Sequence, residues 1–243
     1  MNEKLDSGGM TFWEHLEELR SRLIKAIISL GIAFVTAYIF ASYILDFLTA
    51  PFIVSGGTHL ALLAPTEGFM VKLKTAFLGA IVLAAPMVFY QIFRFVAPGL
   101  HEHERRMTLP VVLWLTVSFF IGGMFAYHVL PYAMKFFQSF AGEGVENFWS
   151  LGKYISFVTY MLLGFGLVFE LPLVIYFAAR LGLVTPQFLR RNRRYAIIIL
   201  LAASALVTPP DVITQIILAI PLIILYEISI FLAAAAIKKS KNK

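Results

Sequence analysis

The chain has 243 residues, of which 60% are hydrophobic, 15% aromatic and only 14% charged, with a net charge of +6. One water-soluble core cannot bury that much apolar surface, so lipid is the expected solvent and a soluble single-core domain is excluded. The absence of cysteine excludes disulfides, thiolate metal sites and a cysteine nucleophile, and the basic residues cluster in short connections between apolar runs, where they set topology rather than bind nucleic acid.

Residues 1–22 are of mixed charge and precede an apolar run of over about 20 residues, too long for the core of a cleavable signal peptide, so the run is read as a retained span. Thr11 and Glu14 have capping-box spacing, which predicts a helix starting at Thr11. Phe12, Leu16, Leu19 and Leu23 form an apolar stripe with Glu14, Glu17 and Glu18 off it, the pattern of an amphipathic helix at the membrane surface. Locally, Glu18 and Arg22 read as an i,i+4 surface pair contributing about 0.2–0.5 kcal/mol.

A spanning helix needs about 20 apolar residues to cross a hydrocarbon core of roughly 30 Å. Spans are expected at 23–48, 71–93, 109–130, 155–179, 195–207 and 212–236. After the second, Pro98-Gly99 turns the chain into His101-Glu102-His103-Glu104-Arg105-Arg106. An H-E-x-x-H zinc helix would need histidine at 105, where Arg105 stands. The 131–153 connection is the long outer loop, and its Phe136, Phe137, Phe140, Phe148 and Trp149 suit a cap lying on the bundle.

Glu170 lies deep in the fourth span, roughly 15 Å or more from either end, too far to snorkel. Such a residue costs about 2.5–3.5 kcal/mol to insert and is a functional candidate by default. Gly164 and Gly166 before it and Pro172 after it permit close helix approach and a kink. Glu227 occupies a similar depth in the sixth span, and packing bonds between helices would explain both acids equally well. The fifth span covers only about 20 Å and is ended by Thr208-Pro209-Pro210-Asp211, so the fifth and sixth are expected to form a short hairpin that thins the membrane, or a re-entrant hairpin.

Of the 20 Lys and Arg, only Lys72, Lys74, Lys135 and Lys153 fall on the side opposite the termini, which puts both ends in the cytoplasm by the positive-inside rule. The expected fold is therefore an all-α integral membrane protein forming a single transmembrane domain: an amphipathic segment 1–22, a six-helix unit 23–236 and a basic tail 237–243. No repeat relates the first three spans to the last three, and no G-x-S-x-G or G-x-G-x-x-G string is present, so neither enzymatic activity nor a cofactor or metal is expected.

Several strings together resemble the TatC subunit of the twin-arginine protein translocase. His15-Leu16-Glu17-Glu18-Leu19-Arg20-Ser21-Arg22-Leu23 is similar to that family's H-L-x-E-L-R-x-R-L signature. Phe95-Val96-Ala97-Pro98-Gly99-Leu100 with Glu104-Arg105-Arg106, Phe165-Gly166 with Phe169-Glu170-Leu171-Pro172, Thr208-Pro209-Pro210-Asp211 and Ala219-Ile220-Pro221 follow in the family's order. The resemblance implies a receptor in the bacterial cytoplasmic membrane for folded cargo whose signal peptide carries two consecutive arginines. It implies Glu18 and Glu104 as the acidic binding positions with Phe95 and Arg20 beside them, Glu170 facing a concave interior, and Thr208 and Gln215 docking a polar residue of TatA-type or TatB-type single-span subunits in a complex of several copies. A proton-coupled small-solute transporter using Glu170 and Glu227 is the alternative from another class.

Overall fold

The first apolar run folds as two helices rather than one span over 23–48. In the computed structural model, which describes residues 12–57, 59–96, 108–140, 148–207 and 212–241, α1 spans Phe12–Ile39 and α2 spans Ala41–Val54. Phe40, with φ −94° and ψ 12°, separates them. By Ile39 the first helix has already run about 42 Å, longer than a bilayer core. Burial supplies the reason for the break: Leu48 and Phe52 of α2 are each 2% exposed, and the Phe52 ring meets Trp149 and Tyr154 edge-on. Residues 12–22 of the predicted amphipathic segment are thus the first turns of a continuous α1, and the expected helix start at Thr11 lies outside the described residues.

The chain continues through β1 (Leu60–Ala61), α3 (Glu67–Val96), α4 (Thr108–Gln138), β2 (Trp149–Ser150), α5 (Leu151–Val168), α6 (Leu171–Arg180), α7 (Pro186–Arg191), α8 (Arg193–Val207) and α9 (Val212–Lys241). Five helical stretches are long and apolar enough to cross a membrane: Trp13–Ile39, Glu67–Val96, Thr108–Gln138, Leu151–Arg180 and Leu218–Lys238. The protein is an all-α membrane protein apart from the parallel pair β1–β2.

α1 packs chiefly along α3. Small residues bring the helices of this end together: a Cβ added at Gly79 would come within 2.8 Å of Ile44 and 3.1 Å of Ala37. The end of the bundle carrying α2 is closed by Glu67, the first residue of α3. Its carboxylate accepts hydrogen bonds from the amides of Ala64 (3.2 Å) and Gly152 (2.7 Å), from the Leu63 amide and from the Ser150 hydroxyl. Glu67 therefore ties the loop before α3 to the start of α5, and the β1–β2 pair sits beside this latch.

The expected loop 131–153 begins later, because α4 continues through Pro131 to Gln138. Leu130 (0% exposed), Ala133 (6%) and Met134 (1%) anchor those last turns in the core, which offsets the single backbone hydrogen bond a proline removes. The aromatic cap is present: Phe136 meets Phe140 at 4.9 Å, and Phe137 meets Phe157 at 6.0 Å.

The fourth expected span kinks where Pro172 predicts. α5 ends at Val168, α6 starts at Leu171, and Phe169 and Glu170 form the turn. The close approach that Gly166 permits is to α4, where a Cβ added at Gly166 would lie 2.7 Å from the Phe119 ring and one at Gly122 would lie 2.5 Å from the Phe165 carbonyl oxygen. Backbone cannot yield as a side chain can, so Gly122→Ala is expected to lower stability by about 1–3 kcal/mol. Thermal unfolding in detergent checks this against Gly31→Ala, where nothing lies within 4 Å of the added carbon.

α8 is short, at 15 residues, about 22 Å. The sixth expected span is not short as a helix, since α9 runs for 30 residues. Only its first half lies along α8, to the level where Glu227 meets Arg193 at 2.5 Å. α9 also packs on α6 and α7, with the Tyr226 hydroxyl donating to the Leu189 carbonyl at 2.9 Å. No breaker interrupts its apolar run after Pro221, so the helix extends to Lys241. The turn at 208–211 lies outside the described residues.

Candidate functional site

At the end opposite the Glu67 latch, the first turns of α1 meet the last turns of α3. His15, Glu18 and Arg22 recur at three- and four-residue spacing and so share one helix face. Gln91 and Phe95, four apart, share a face of α3. The two rows run antiparallel: the His15 ring stacks on Phe95, centroids 4.4 Å apart and 18° from parallel, and Arg22 Nη1 donates to Gln91 Oε1 at 3.4 Å.

Glu18 lies between these contacts with its side chain 16% exposed. Arg22 Nη2 reaches Oε1 at 3.3 Å, so the i,i+4 pair read from the sequence is formed. The other oxygen, Oε2, is buried and has no hydrogen-bond partner among the described residues. An unsatisfied buried acceptor costs about 1–3 kcal/mol, more when charged, which favours a ligand bringing an N–H donor. Gln91, 3% exposed, braces Arg22 and donates from Nε2 to the Met87 sulfur at 3.7 Å.

Of the expected binding residues, the structure brings Glu18 and Phe95 to one end. Arg20 is exposed, and makes no ion pair with a carboxylate among the described residues. Glu104 lies outside the described residues. Sequence reasoning missed His15, Arg22 and Gln91 as parts of the site, although their spacing was available. The apolar stripe lies off the α3 contact, as an amphipathic surface helix allows: Leu16, Leu19 and Leu23 are 40%, 41% and 56% exposed, and the polar row packs on α3. The arrangement suits a guanidinium, which can fork onto a carboxylate and stack on an aromatic face.

A second polar feature is Glu170, 5% exposed at the α5–α6 break, with neither carboxylate oxygen having a hydrogen-bond partner among the described residues. Gly122 and Phe119 of α4 pack on the adjoining Phe165, Gly166 and Phe169. Glu227 does not match it, because its carboxylate pairs with Arg193 and its side chain is 35% exposed. Counting from the helix ends misjudged its surroundings, since α8 begins beside it. Of the two expected docking residues, Thr208 lies outside the described residues, and half-buried Gln215 donates from Nε2 to the Leu201 carbonyl of α8 at 2.9 Å. Among the described residues no group of three His, Asp or Glu is placed to hold a metal.

The chain matches the family model described as "Sec-independent protein translocase protein (TatC)" over residues 14–221. It is 46% identical over 234 residues to the Sec-independent protein translocase protein TatC of Desulforapulum autotrophicum, covering 95% of this chain and 87% of that one. The protein of the same name from Aquifex aeolicus is 39% identical over 237 residues, covering 96% and 98%. Its structure is similar to a crystal structure of the twin arginine translocase receptor TatC, with TM-score 0.84 and 40% identity, covering 92% of this chain and 99% of that one.

Proposed function

Because this chain belongs to the TatC family of Sec-independent protein translocase proteins, we propose that the α1–α3 end is a receptor site for signal peptides bearing two consecutive arginines. The chain is a multi-pass membrane component of a protein translocase and a receptor rather than an enzyme. One observation carries the site assignment. Glu18 holds a buried carboxylate oxygen, unpartnered among the described residues, beside the Phe95–His15 stack, with Arg22 keeping its other oxygen in place.

In this reading the first arginine of the ligand donates to Glu18 Oε2 while its plane lies against Phe95. Glu104 binds the second, and Arg20 at the rim contacts the peptide backbone. The apolar part of the signal then follows the spans. Two fixed carboxylates discriminate arginine from lysine because only guanidinium presents a planar fork, whereas an ammonium is a point charge. Both termini face the cytoplasm of a bacterial inner membrane, six spans form one domain concave around Glu170, and Thr208 with Gln215 docks TatA-type and TatB-type spans in an assembly of several copies.

The test titrates the full-length protein in detergent with a signal peptide carrying paired arginines and with its paired-lysine counterpart. The arginine form is expected to bind about tenfold or more tightly. Equal affinities reject the site. The two-glutamate proton path of a small-solute transporter is not favoured, since Glu227 is ion-paired and half-exposed and the relatives are protein translocase components.

A further inference from the structure

The far half of α4 borders two cavities that the receptor reading leaves unused. An apolar groove of about 560 Å³ runs between α3, α4 and α5, with Leu78, Val82 and Leu162 among its walls. A pocket of about 460 Å³ between α2 and α4 presents Ser55, Tyr132 and Lys135. Tyr127 and His128 line both, so the two are adjoining parts of one amphiphilic surface. The wall they share is fixed: the Tyr127 ring stacks on Phe47 at 4.4 Å, and its hydroxyl donates to the Phe47 carbonyl at 3.0 Å.

Size, charge and length select the occupant. A groove of this volume walled by apolar side chains accepts an extended acyl chain. No Asp or Glu lines either cavity, Asp46 of α2 being exposed and outside both. Lys135 is exposed and forms no ion pair with a carboxylate among the described residues. From Ile121 in the groove to Lys135 in the pocket the helix rises about 21 Å, about half the thickness of a bilayer with its headgroups. We infer that this composite groove holds one acidic phospholipid of the leaflet on the Glu67 side, its phosphate on Lys135 and Tyr132 and one acyl chain along Leu78, Val82 and Leu162.

Native mass spectrometry of the full-length protein in mild detergent tests this with phosphatidylglycerol and phosphatidylcholine of identical chains. The wild type is expected to retain one phosphatidylglycerol at about fivefold higher occupancy than phosphatidylcholine. Lys135→Ala and Lys135→Gln both lose that preference and keep the weaker phosphatidylcholine binding. Gly123→Phe loses both lipids: Gly123 lines the groove, and a carbon added there meets nothing within 4 Å, so the ring enters the groove without backbone clash. Inorganic phosphate at matched concentration leaves the bound lipid in place. Equal occupancy of the two lipids, an undiminished preference in both Lys135 variants, or displacement by free phosphate would overturn the assignment.

Discussion

Glu18→Ala is expected to weaken binding of a paired-arginine signal peptide to the full-length protein by roughly 10- to 100-fold, the equivalent of one charge-assisted hydrogen bond of about 1.5–3 kcal/mol. The carboxylate offers a buried oxygen with no partner among the described residues, so the ligand gains a bond there. Arg22 remains held by Gln91 after the substitution, at 3.4 Å, so the helix pair keeps a tether and the loss is local. Glu18→Gln keeps an acceptor without the charge and should fall between alanine and wild type. Glu17→Ala, on the exposed side of the same helix, should bind as the wild type does. Isothermal titration on the four proteins reads the order directly, and an unchanged affinity in Glu18→Ala would remove Glu18 from the site.

Glu170→Leu is expected to separate stability from transport. The native carboxyl is 5% exposed with both oxygens unpartnered among the described residues, and a leucine of similar size removes that penalty, raising unfolding free energy by about 1–3 kcal/mol. Signal-peptide affinity should stay at the wild-type level, because Glu170 lies at the α5–α6 break and not at the α1–α3 end. Export of folded cargo should nevertheless fail at a later step, since a group kept in the membrane at such cost is retained for function. The three readouts are a melting curve, a peptide titration and an export assay in cells carrying the variant. Full export by the variant would show Glu170 to be a packing residue only.

The spans were legible because apolar length is a coarse signal that lipid enforces on each helix separately. The break at Phe40 was not: no Gly or Pro marks it, and it arises because Leu48 and Phe52 bury against residues far along the chain. The start of the 131–153 loop was misplaced in the other direction, since the burial of Leu130 and Met134 carries α4 through Pro131. Pro172, by contrast, announced the kink at Glu170 correctly.

The site was half legible for a reason specific to lipid. In water the stripe of Leu16, Leu19 and Leu23 would be the buried face, yet in this bundle it faces outward and the polar row His15–Glu18–Arg22 packs against Gln91 and Phe95. Apolar side chains gain nothing by leaving lipid for protein, whereas polar ones gain partners. Family motifs singled out Glu18 and Phe95, but their closeness across α1 and α3 is a tertiary fact that no spacing within one helix encodes. Glu227 shows the converse, because its depth along α9 was readable while its partner Arg193, on the short α8, was not.

The most direct test of the receptor reading is a photocrosslinking map between the full-length protein and a signal peptide carrying a photoreactive residue next to its arginine pair. The predicted result is adducts on α1 near Glu18 and on the last turn of α3 near Phe95, lost when the arginine pair becomes a lysine pair. Adducts spread along the lipid-facing helices with none at Glu18 or Phe95, or a map indifferent to the arginines, would contradict it.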